Sequence, residues 1–334
     1  MSFSLAPMFT QEVSLMISTT ATPITEKIPM VNLQPFIDGD PDQQQQVAQQ
    51  IYQACHEIGF LYLTGFGIDQ LEIDTFFEQV RWFFALPTEL KNSLSWRDHG
   101  SNRGYSPLES ERLDPSLPGD LKEGFNVGKE GPILHPATAY DHPNLWPPEA
   151  DAFRERVLSF FESASMATQH ILRAFALALQ LPVDYFASRH DRQHFILRML
   201  HYPPLPEHLQ AGQTRAAAHT DYGSITLLFQ DSVGGLEVRN QQGEWIPAPW
   251  IPGAILVNTG DLMQRWTNHE FCSTPHRVVL PTGPQVQRSR YSTAFVVYPN
   301  FDAEIACVGH HGRDPLYPPI LTQDYVLGRL QATY

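Results

Sequence analysis

Two histidines and one aspartate have the residue types and the spacing of a metal site. Among the 14 histidines, only His219 is followed two positions later by a carboxylate, which belongs to Asp221. In a strand, side chains two positions apart point to the same face, so both could bind one ion. His276, 55 residues after Asp221, is the candidate for a second imidazole from a distant strand. Two neutral imidazoles and one carboxylate form the facial triad that binds non-haem Fe(II) and leaves coordination positions open.

An arginine and a serine two positions apart form a second candidate site. Arg290 and Ser292 would share one face of a strand, and Arg290 lies 14 residues after His276. A guanidinium group and a hydroxyl suit the distal carboxylate of a dicarboxylic acid such as 2-oxoglutarate. A surface arginine beside an ordinary strand serine explains the same spacing, and the spacing alone does not decide between the two.

Short strands must position these residues, and the second half of the chain supplies them. From residue 195 onward, apolar runs are bounded by Gly, Pro or Asn, which is typical of a sandwich or barrel. The predicted strands are Phe195–Leu200, Ser224–Phe229, Gly235–Arg239, Trp245–Ile246, Ala254–Thr259, Arg277–Leu280 and Arg290–Tyr298.

The first half of the chain shows helical periodicity, with predicted helices at 47–58, 71–84 and 148–179 and short strands at 28–33 and 60–63. Residues 97–150 hold many of the 28 prolines and are predicted to form a lid-like loop. The predicted organisation is a flexible leader at 1–27, an N-terminal region of helices and strands at 28–190 that includes this loop, a core for metal and co-substrate at 191–310, and a C-terminal helix at 311–334.

Charge and cysteine content narrow the class of protein. The formal net charge is −14, and an acidic chain gains nothing from releasing phosphate counterions, so we expect no nucleic-acid partner and no binding to anionic membranes. The three cysteines are widely spaced, which disfavours a disulfide framework and a thiolate zinc site. No positive charge precedes Lys27, and no apolar stretch reaches the length of a membrane span, so we expect a cytoplasmic protein.

Around the candidate residues, a series of motifs occurs in the order found in one enzyme family. These motifs are HTDYGSITLL at 219–228, GLEV at 235–238, NTGD at 258–261, WTN at 266–268, STPHRV at 273–278 and RYS at 290–292. Upstream lie IPMV at 28–31, GF at 59–60, FALPTELK at 84–91, GY at 104–105 and KEGF at 122–125. Over residues 27–330 the chain therefore resembles isopenicillin N synthase and the plant-type 2-oxoglutarate- and Fe(II)-dependent dioxygenases.

The resemblance implies a mainly β fold with flanking helices and a double-stranded β-helix (jelly roll) core. It implies Fe(II) with 2-oxoglutarate and O₂ as co-substrates, and ascorbate as a support of activity. The implied metal ligands are His219, Asp221 and His276, and the implied 2-oxoglutarate residues are Arg290, Ser292 and Tyr202. The implied substrate residues are Arg103, Tyr105, Glu123, Phe125, Arg198, Phe229 and Trp266. One departure is LHYP at 200–203, where the family often has NYYP.

The implied reaction is hydroxylation of a C–H bond in a small polar natural product or alkaloid, with release of succinate and CO₂, as in cyanobacterial hydroxylases that tailor alkaloids. The charged substrate candidates favour a polar or zwitterionic substrate, unless these charges pair with one another. Asp261 is expected to brace a turn rather than to act in catalysis.

Two alternatives stay open at this point. One is an Fe(II) oxidase that needs no 2-oxoglutarate, in which Arg290 and Ser292 serve the substrate instead. The other is a jelly-roll protein that binds metal without catalysis. Neither the identity of the substrate nor the oligomeric state follows from the sequence.

Overall fold

Helices and short strands alternate in the first half of the chain, and strands dominate the second half. The computed structural model describes residues 28–96, 102–112, 114, 116–131, 142–308 and 314–333, so the predicted leader at 1–27 lies outside it. The first half contains β1 (Met30–Asn32), α1 (Gln34–Ile37), α2 (Pro41–Glu57), β2 (Phe60–Thr64), α3 (Gln70–Phe84), α4 (Thr88–Ser93), β3 (Gly104–Ser106), β4 (Glu123–Gly128) and α5 (Asp151–Ala178). The second half contains β5 (Phe195–Tyr202), β6 (Ala216–His219), β7 (Ile225–Gln230), β8 (Leu236–Arg239), β9 (Trp245–Pro247), β10 (Ile255–Thr259), α6 (Asp261–Trp266), β11 (His276–Val278), β12 (Arg290–Val297), β13 (Glu304–Ile305), β14 (Ile320–Leu321) and α7 (Thr322–Thr333).

Two sheets face each other. The larger has the strand order β1-β2-β10-β7-β12-β5-β4-β3, and the smaller has the order β6-β11-β8-β9. Side chains of both sheets share one buried cluster, to which the larger sheet contributes Tyr62 and Leu200 and the smaller contributes Leu236 and Val278. The space between the sheets is therefore closed along part of its length by apolar packing. The architecture is mainly β with flanking helices, as predicted.

Helices α2, α3 and α5 form a layer whose apolar side chains pack with those on the other face of the larger sheet. Phe76 of α3 stacks on Phe160 of α5 with 3.9 Å between ring centroids. Phe160 in turn contacts Phe229 of β7 edge-on at 5.0 Å. Fully burying one such aromatic side chain contributes about 1.5–3 kcal/mol to stability. This layer supports the larger sheet from outside and leaves its inner face to the site.

Two strands lie inside the stretch predicted as a lid-like loop at 97–150. β4 pairs with β5, and Phe125 is the register partner of Met199, so this segment belongs to the larger sheet. A Cβ atom on Gly128 would lie 2.0 Å from the Arg103 guanidinium, so this glycine permits a close contact rather than a turn. The loop prediction is wrong for β3 and β4. For the remaining residues the lid stays a prediction, and 132–141 lie outside the described residues.

Most other elements lie within a few residues of their predicted bounds. The helix predicted at 47–58 begins earlier, at Pro41, because the Asp40 side chain accepts hydrogen bonds from the backbone N–H groups of Asp42 and Gln43. The strand β6 was not predicted, since its run of alanines has low strand propensity. Among the helices of the described residues, none is both long and apolar enough to cross a membrane.

Candidate metal and co-substrate site

Strand pairing in the smaller sheet brings the predicted metal ligands together. His219 ends β6, His276 begins β11, and the two residues are direct register partners. Asp221 lies two residues after His219, beyond the end of β6, so the expectation that both residues share one face of a strand is wrong, and the chain after the strand directs Asp221 to the site. The distance from Asp221 Oδ1 is 4.0 Å to His219 Nε2 and 3.8 Å to His276 Nε2. The ligand atoms of these three residues, which we call the metal triad, all lie within 4.8 Å of one another.

Backbone and side-chain contacts orient the triad. His219 Nδ1 donates to the Ala217 carbonyl at 2.8 Å, and His276 Nδ1 donates to the Thr274 carbonyl at 3.2 Å. A carbonyl only accepts, so each Nδ1 carries the ring proton and each Nε2 offers its lone pair to the triad. Asn258 Nδ2 donates to Asp221 Oδ2 at 2.8 Å, which leaves Oδ1 facing the two histidines.

The protonation states of the triad suit a divalent cation. Burial, and then the neighbouring His276, lower the pKa of His219 to about 3, so its imidazole is neutral at pH 7. Burial by itself would raise the pKa of Asp221, but the nearby imidazoles of His276 and His219 lower it below its usual range. Two neutral imidazoles and one carboxylate are the donor set that non-haem Fe(II) takes, so these residues fit that ion.

A cavity of about 200 Å³ opens between the two sheets at the metal triad. Its walls include Phe60, Leu228 and Val278, which are apolar, and polar groups lie at its two ends. One end carries Arg290, Ser292 and Tyr202, and we call it the arginine end. The structure thus brings together, in one cavity, all six residues expected to bind metal and 2-oxoglutarate.

The register of the larger sheet builds the arginine end. Arg290 of β12 is the partner of Tyr202 of β5, and Ser292 is the partner of Gln230 of β7. The Arg290 guanidinium donates to Ser292 Oγ at 3.0 Å and to Gln230 Oε1 at 3.2 Å. Its central carbon lies 4.7 Å from the centroid of the Tyr202 ring. Gln230 was not a predicted site residue, and only strand register places it here.

Arg290 is a buried cation suited to an anionic ligand. Only 1% of its surface is exposed, and its Nε has no hydrogen-bond partner among the described residues. Burial excludes the alternative of a surface arginine. A buried charge without a counter-ion is costly, so an arginine kept in this state is typical of a site whose ligand supplies the negative charge.

A second buried arginine, also missed by sequence reasoning, adds positive charge near the arginine end. Arg215 is 1% exposed and donates to the carbonyls of Pro203 at 3.1 Å and Arg288 at 3.0 Å. Burial, and then the charge of Arg290, lower its pKa to about 10, so it stays protonated at neutral pH. The two cations together favour a dicarboxylate over a neutral ligand at this end of the cavity.

Of the seven predicted substrate residues, Arg198 lines the cavity and six do not. Phe125, Phe229 and Trp266 are at most 2% exposed and belong to the core packed against the helices. Trp266 contacts Phe186 edge-on at 5.0 Å, so its ring fills the core instead of a pocket wall. The expectation that these aromatic residues contact the substrate does not fit this placement, because Phe125 and Phe229 pack on the helix side of the larger sheet and Trp266 belongs to helix α6.

The charged substrate candidates pair with one another or with neighbours. Glu123 accepts hydrogen bonds from Lys91 at 2.8 Å, from His201 at 2.7 Å and from Tyr105. The guanidinium of Arg103 packs against Gly128. Glu123, Tyr105 and Arg103 do not line the cavity, and they do not support the expectation of a zwitterionic substrate.

Asp261 begins helix α6 instead of bracing a turn at 260–261, and it contacts the segment that carries Asp221. Its backbone N–H donates to the Asp221 carbonyl at 2.8 Å. Its carboxylate accepts hydrogen bonds from Thr220 Oγ1 at 3.1 Å, from Ser273 Oγ at 2.6 Å and from Arg329 at 2.7 Å. Sequence reasoning did not predict the role of Arg329, because its contact with Asp261 joins residues 68 positions apart.

Comparison with known proteins now decides the family. Residues 28–149 match the N-terminal region of the non-haem dioxygenases of morphine synthesis, and residues 193–299 match the 2OG-Fe(II) oxygenase superfamily. The protein belongs to the 2-oxoglutarate/Fe(II)-dependent oxygenase family. It therefore uses Fe(II) and 2-oxoglutarate, and its core is the double-stranded β-helix that the resemblance implied. The oxidase without 2-oxoglutarate and the non-catalytic metal-binding protein are not favoured.

Individual relatives of this oxygenase support the assignment over nearly the whole chain. The 2-oxoglutarate-Fe(II) type oxidoreductase hxnY of Emericella nidulans is 33% identical, over 92% of this chain and 90% of the relative. The proline hydroxylase buaE of Petromyces alliaceus is 36% identical, over 81% of this chain and 86% of the relative. The crystal structure of a full-length Neurospora crassa protein in complex with alpha-KG (2-oxoglutarate) has a TM-score of 0.84 at 35% identity, over 92% of this chain and 96% of that chain.

Proposed function

We propose that the metal triad of this oxygenase binds Fe(II) and that the arginine end binds 2-oxoglutarate, for the hydroxylation of a C–H bond in a small polar molecule. The observation that carries the proposal is the buried guanidinium of Arg290, which shares one cavity with the metal triad. A protein that only stored metal would not need a buried cation at this place. We further propose that the protein works in the cytoplasm, where its three free cysteines would stay reduced.

When bound, Fe(II) and 2-oxoglutarate supply the oxidation itself, which consumes O₂ and releases succinate and CO₂. The protein residues bind and orient. Arg290 and Ser292 hold the distal carboxylate of 2-oxoglutarate, and Tyr202 lies against the Arg290 guanidinium and limits its movement. Apolar side chains such as Phe60 and Val278 exclude water from the same cavity.

The cavity supports a small molecule as the substrate. Its volume of about 200 Å³ and its position between two sheets leave no room for a folded macromolecule. Two relatives also support a small-molecule substrate, since the Neurospora crassa protein has been crystallised with thymine and buaE is named a proline hydroxylase. Because these two relatives point to different small molecules, we infer that the cavity wall remote from 2-oxoglutarate sets the choice in each protein.

The proposal is tested by the visible charge-transfer band that an Fe(II)–2-oxoglutarate chelate produces. We would add Fe(II) and then 2-oxoglutarate to metal-free protein without O₂. The wild-type protein should give the band at stoichiometric 2-oxoglutarate. Arg290→Ala should require at least about tenfold more 2-oxoglutarate, because a charged hydrogen bond is worth about 1.5–3 kcal/mol.

The matched control is Arg239→Ala, which removes an exposed arginine at the end of β8. It should titrate like the wild-type protein. Absence of the band in wild-type protein that holds stoichiometric iron would contradict the proposal. An unchanged 2-oxoglutarate requirement in Arg290→Ala would contradict the assignment of the arginine end.

A further inference from the structure

A polar network that the proposed function does not use lies behind the arginine end, on the other face of the larger sheet. Tyr202 lines the cavity, so its neighbour in β5, His201, points to the opposite face of the strand. There the His201 ring lies 5.4 Å from the Phe84 ring of α3. Four side chains are joined at this place, and we call them the polar bridge: Lys91, Glu123, His201 and Ser289.

One end of the polar bridge holds the His201 ring. Glu123 of β4 is the register partner of His201, and its Oε1 lies 2.7 Å from His201 Nδ1. Glu123 Oε2 accepts from Lys91 Nζ at 2.8 Å and from the Tyr105 hydroxyl. Burial by itself would raise the pKa of Glu123, but the hydrogen bonds from His201, Lys91 and Tyr105 lower it. Glu123 is therefore a carboxylate at neutral pH, and because a carboxylate only accepts, His201 Nδ1 carries a proton.

The other end of the polar bridge reaches both chain neighbours of Arg290. His201 Nε2 lies 3.0 Å from Ser289 Oγ, and in the neutral ring it accepts from this hydroxyl, since the proton is on Nδ1. The ring also stacks on Tyr291, with 4.7 Å between the centroids and 13° between the planes. His201 thus contacts the residue before Arg290 and the residue after it.

The position of Arg290 in the fold gives these contacts their importance. Arg290 is the first residue of β12, and its register pairing with β5 begins at Arg290 itself. The preceding stretch contains a 3₁₀ turn at Gly283–Gln287, so the chain enters the strand directly before the arginine. A guanidinium must be held in a fixed orientation to form parallel hydrogen bonds with a carboxylate. A contact to Ser289 therefore constrains Arg290 on the side where sheet pairing does not.

We propose that His201 is a positioning residue, which holds Ser289 and Tyr291 and so directs the Arg290 guanidinium at the distal carboxylate of 2-oxoglutarate. This inference rests on the proposed function, since it takes the arginine end as the 2-oxoglutarate site. His201 belongs to LHYP at 200–203, at a position where the family often has tyrosine. A tyrosine side chain has one polar atom, whereas an imidazole has two and binds Glu123 and Ser289 at the same time.

The first test replaces the imidazole and keeps a ring. His201→Phe retains an aromatic ring between Phe84 and Tyr291 but removes both hydrogen bonds of the imidazole. It should weaken 2-oxoglutarate binding by about three- to tenfold, as expected for coupling between contacting residues. The measurement is a titration of the Fe(II)–2-oxoglutarate charge-transfer band without O₂. His208→Phe, which changes an exposed histidine, is the control and should titrate like the wild-type protein.

Two further readouts separate positioning from a merely structural role. The Kd for Mn(II) without 2-oxoglutarate, measured from the EPR signal of the free ion, should stay at the wild-type value in His201→Phe, because the contacts of the polar bridge lie at the arginine end. In the Arg290→Ala background, His201→Phe should weaken 2-oxoglutarate binding no further, since its effect acts through Arg290. A general distortion of the sheet would change the Mn(II) affinity and would add to the effect of Arg290→Ala.

Ser289→Ala keeps the inference testable if His201→Phe does not fold, as judged by thermal unfolding. It removes one hydroxyl and should weaken 2-oxoglutarate binding in the same direction, again only when Arg290 is present. The inference is overturned if the folded variants bind 2-oxoglutarate like the wild-type protein, if their Mn(II) affinity falls by the same factor, or if the loss persists in the Arg290→Ala background. A wild-type protein that holds iron and gives no band contradicts the proposed function and this inference together, whereas a normal wild-type band with unchanged variants overturns this inference alone.

Discussion

At the scale of single residues, the metal triad depends on side chains that do not themselves bind metal. Asn258 is the clearest case, because its amide holds Asp221 Oδ2 at 2.8 Å and leaves Oδ1 for the ion. Groups that orient a metal ligand in this way usually change metal affinity or activity by about 10–100-fold when they are removed. The asparagine of NTGD at 258–261, which lies on β10, is therefore a positioning residue.

We expect Asn258→Ala to weaken Fe(II) binding by about 10–100-fold. The measurement is an Fe(II) titration at saturating 2-oxoglutarate without O₂, followed by the charge-transfer band. The control is Asn92→Ala, which changes an exposed residue of α4 and should leave the titration unchanged. Equal affinities in Asn258→Ala and the wild-type protein would show that Asp221 needs no orienting partner.

At the scale of elements, the C-terminal helix α7 contacts the turn that follows β6. Arg329 of α7 donates to Asp261 Oδ2 at 2.7 Å, and its guanidinium carbon lies 4.4 Å from the centroid of the Tyr222 ring. Tyr222 lines the cavity, so α7 supports part of the cavity wall from outside. A partly exposed ion pair of this kind contributes little to global stability, but it fixes the position of the turn.

Arg329→Ala should therefore reduce kcat/KM for a substrate by about three- to tenfold, as expected for a coupling of about 1 kcal/mol between contacting residues. The midpoint of urea unfolding should change little. Succinate formation measures the activity. Arg192→Ala breaks an exposed ion pair with Asp302 at 3.0 Å and serves as the control. A large loss of stability in Arg329→Ala without a change in kcat/KM would contradict this role of α7.

At the scale of the whole molecule, the metal triad joins segments that are far apart in the sequence. His276 begins β11 and Asp221 follows β6, 55 positions earlier, and β11 pairs with both β6 and β8. An ion bound to the folded state alone increases the free energy of unfolding by about 2.7 kcal/mol at a hundredfold excess over its Kd. Metal should thus stabilise the complete β core, and not only the site.

We expect Mn(II) with 2-oxoglutarate to increase the free energy of unfolding in urea by this amount, about 2.7 kcal/mol at a hundredfold excess over Kd. His276→Ala should lose most of the metal-dependent increase, whatever its stability without metal. Asn92→Ala should keep it. An increase of equal size in His276→Ala would mean that the ion binds elsewhere.

The sequence predicted those elements whose residue pattern is visible within the element itself. The periodicity at 71–84 and 148–179 predicted α3 and α5 closely, because burying one face of a helix requires apolar residues every three or four positions. The lid-like loop predicted at 97–150 is wrong for β3 and β4, since a high proline content does not show which segments of the stretch pair with a neighbouring strand. β4 is a strand because it pairs with β5, and the sequence of β4 alone does not reveal this pairing.

For the site, the sequence by itself determined which residues were candidates: His219, Asp221, His276, Arg290, Ser292 and Tyr202. Only the tertiary structure decided that Arg290 is buried, that Gln230 and Asn258 support these residues, and that Arg198 donates a hydrogen bond to Glu111. The physical reason is distance along the chain. The alternation of side chains along a strand can be read from neighbouring residues. Burial and charge pairing instead depend on contacts between segments 37–87 positions apart, and no short motif specifies those contacts.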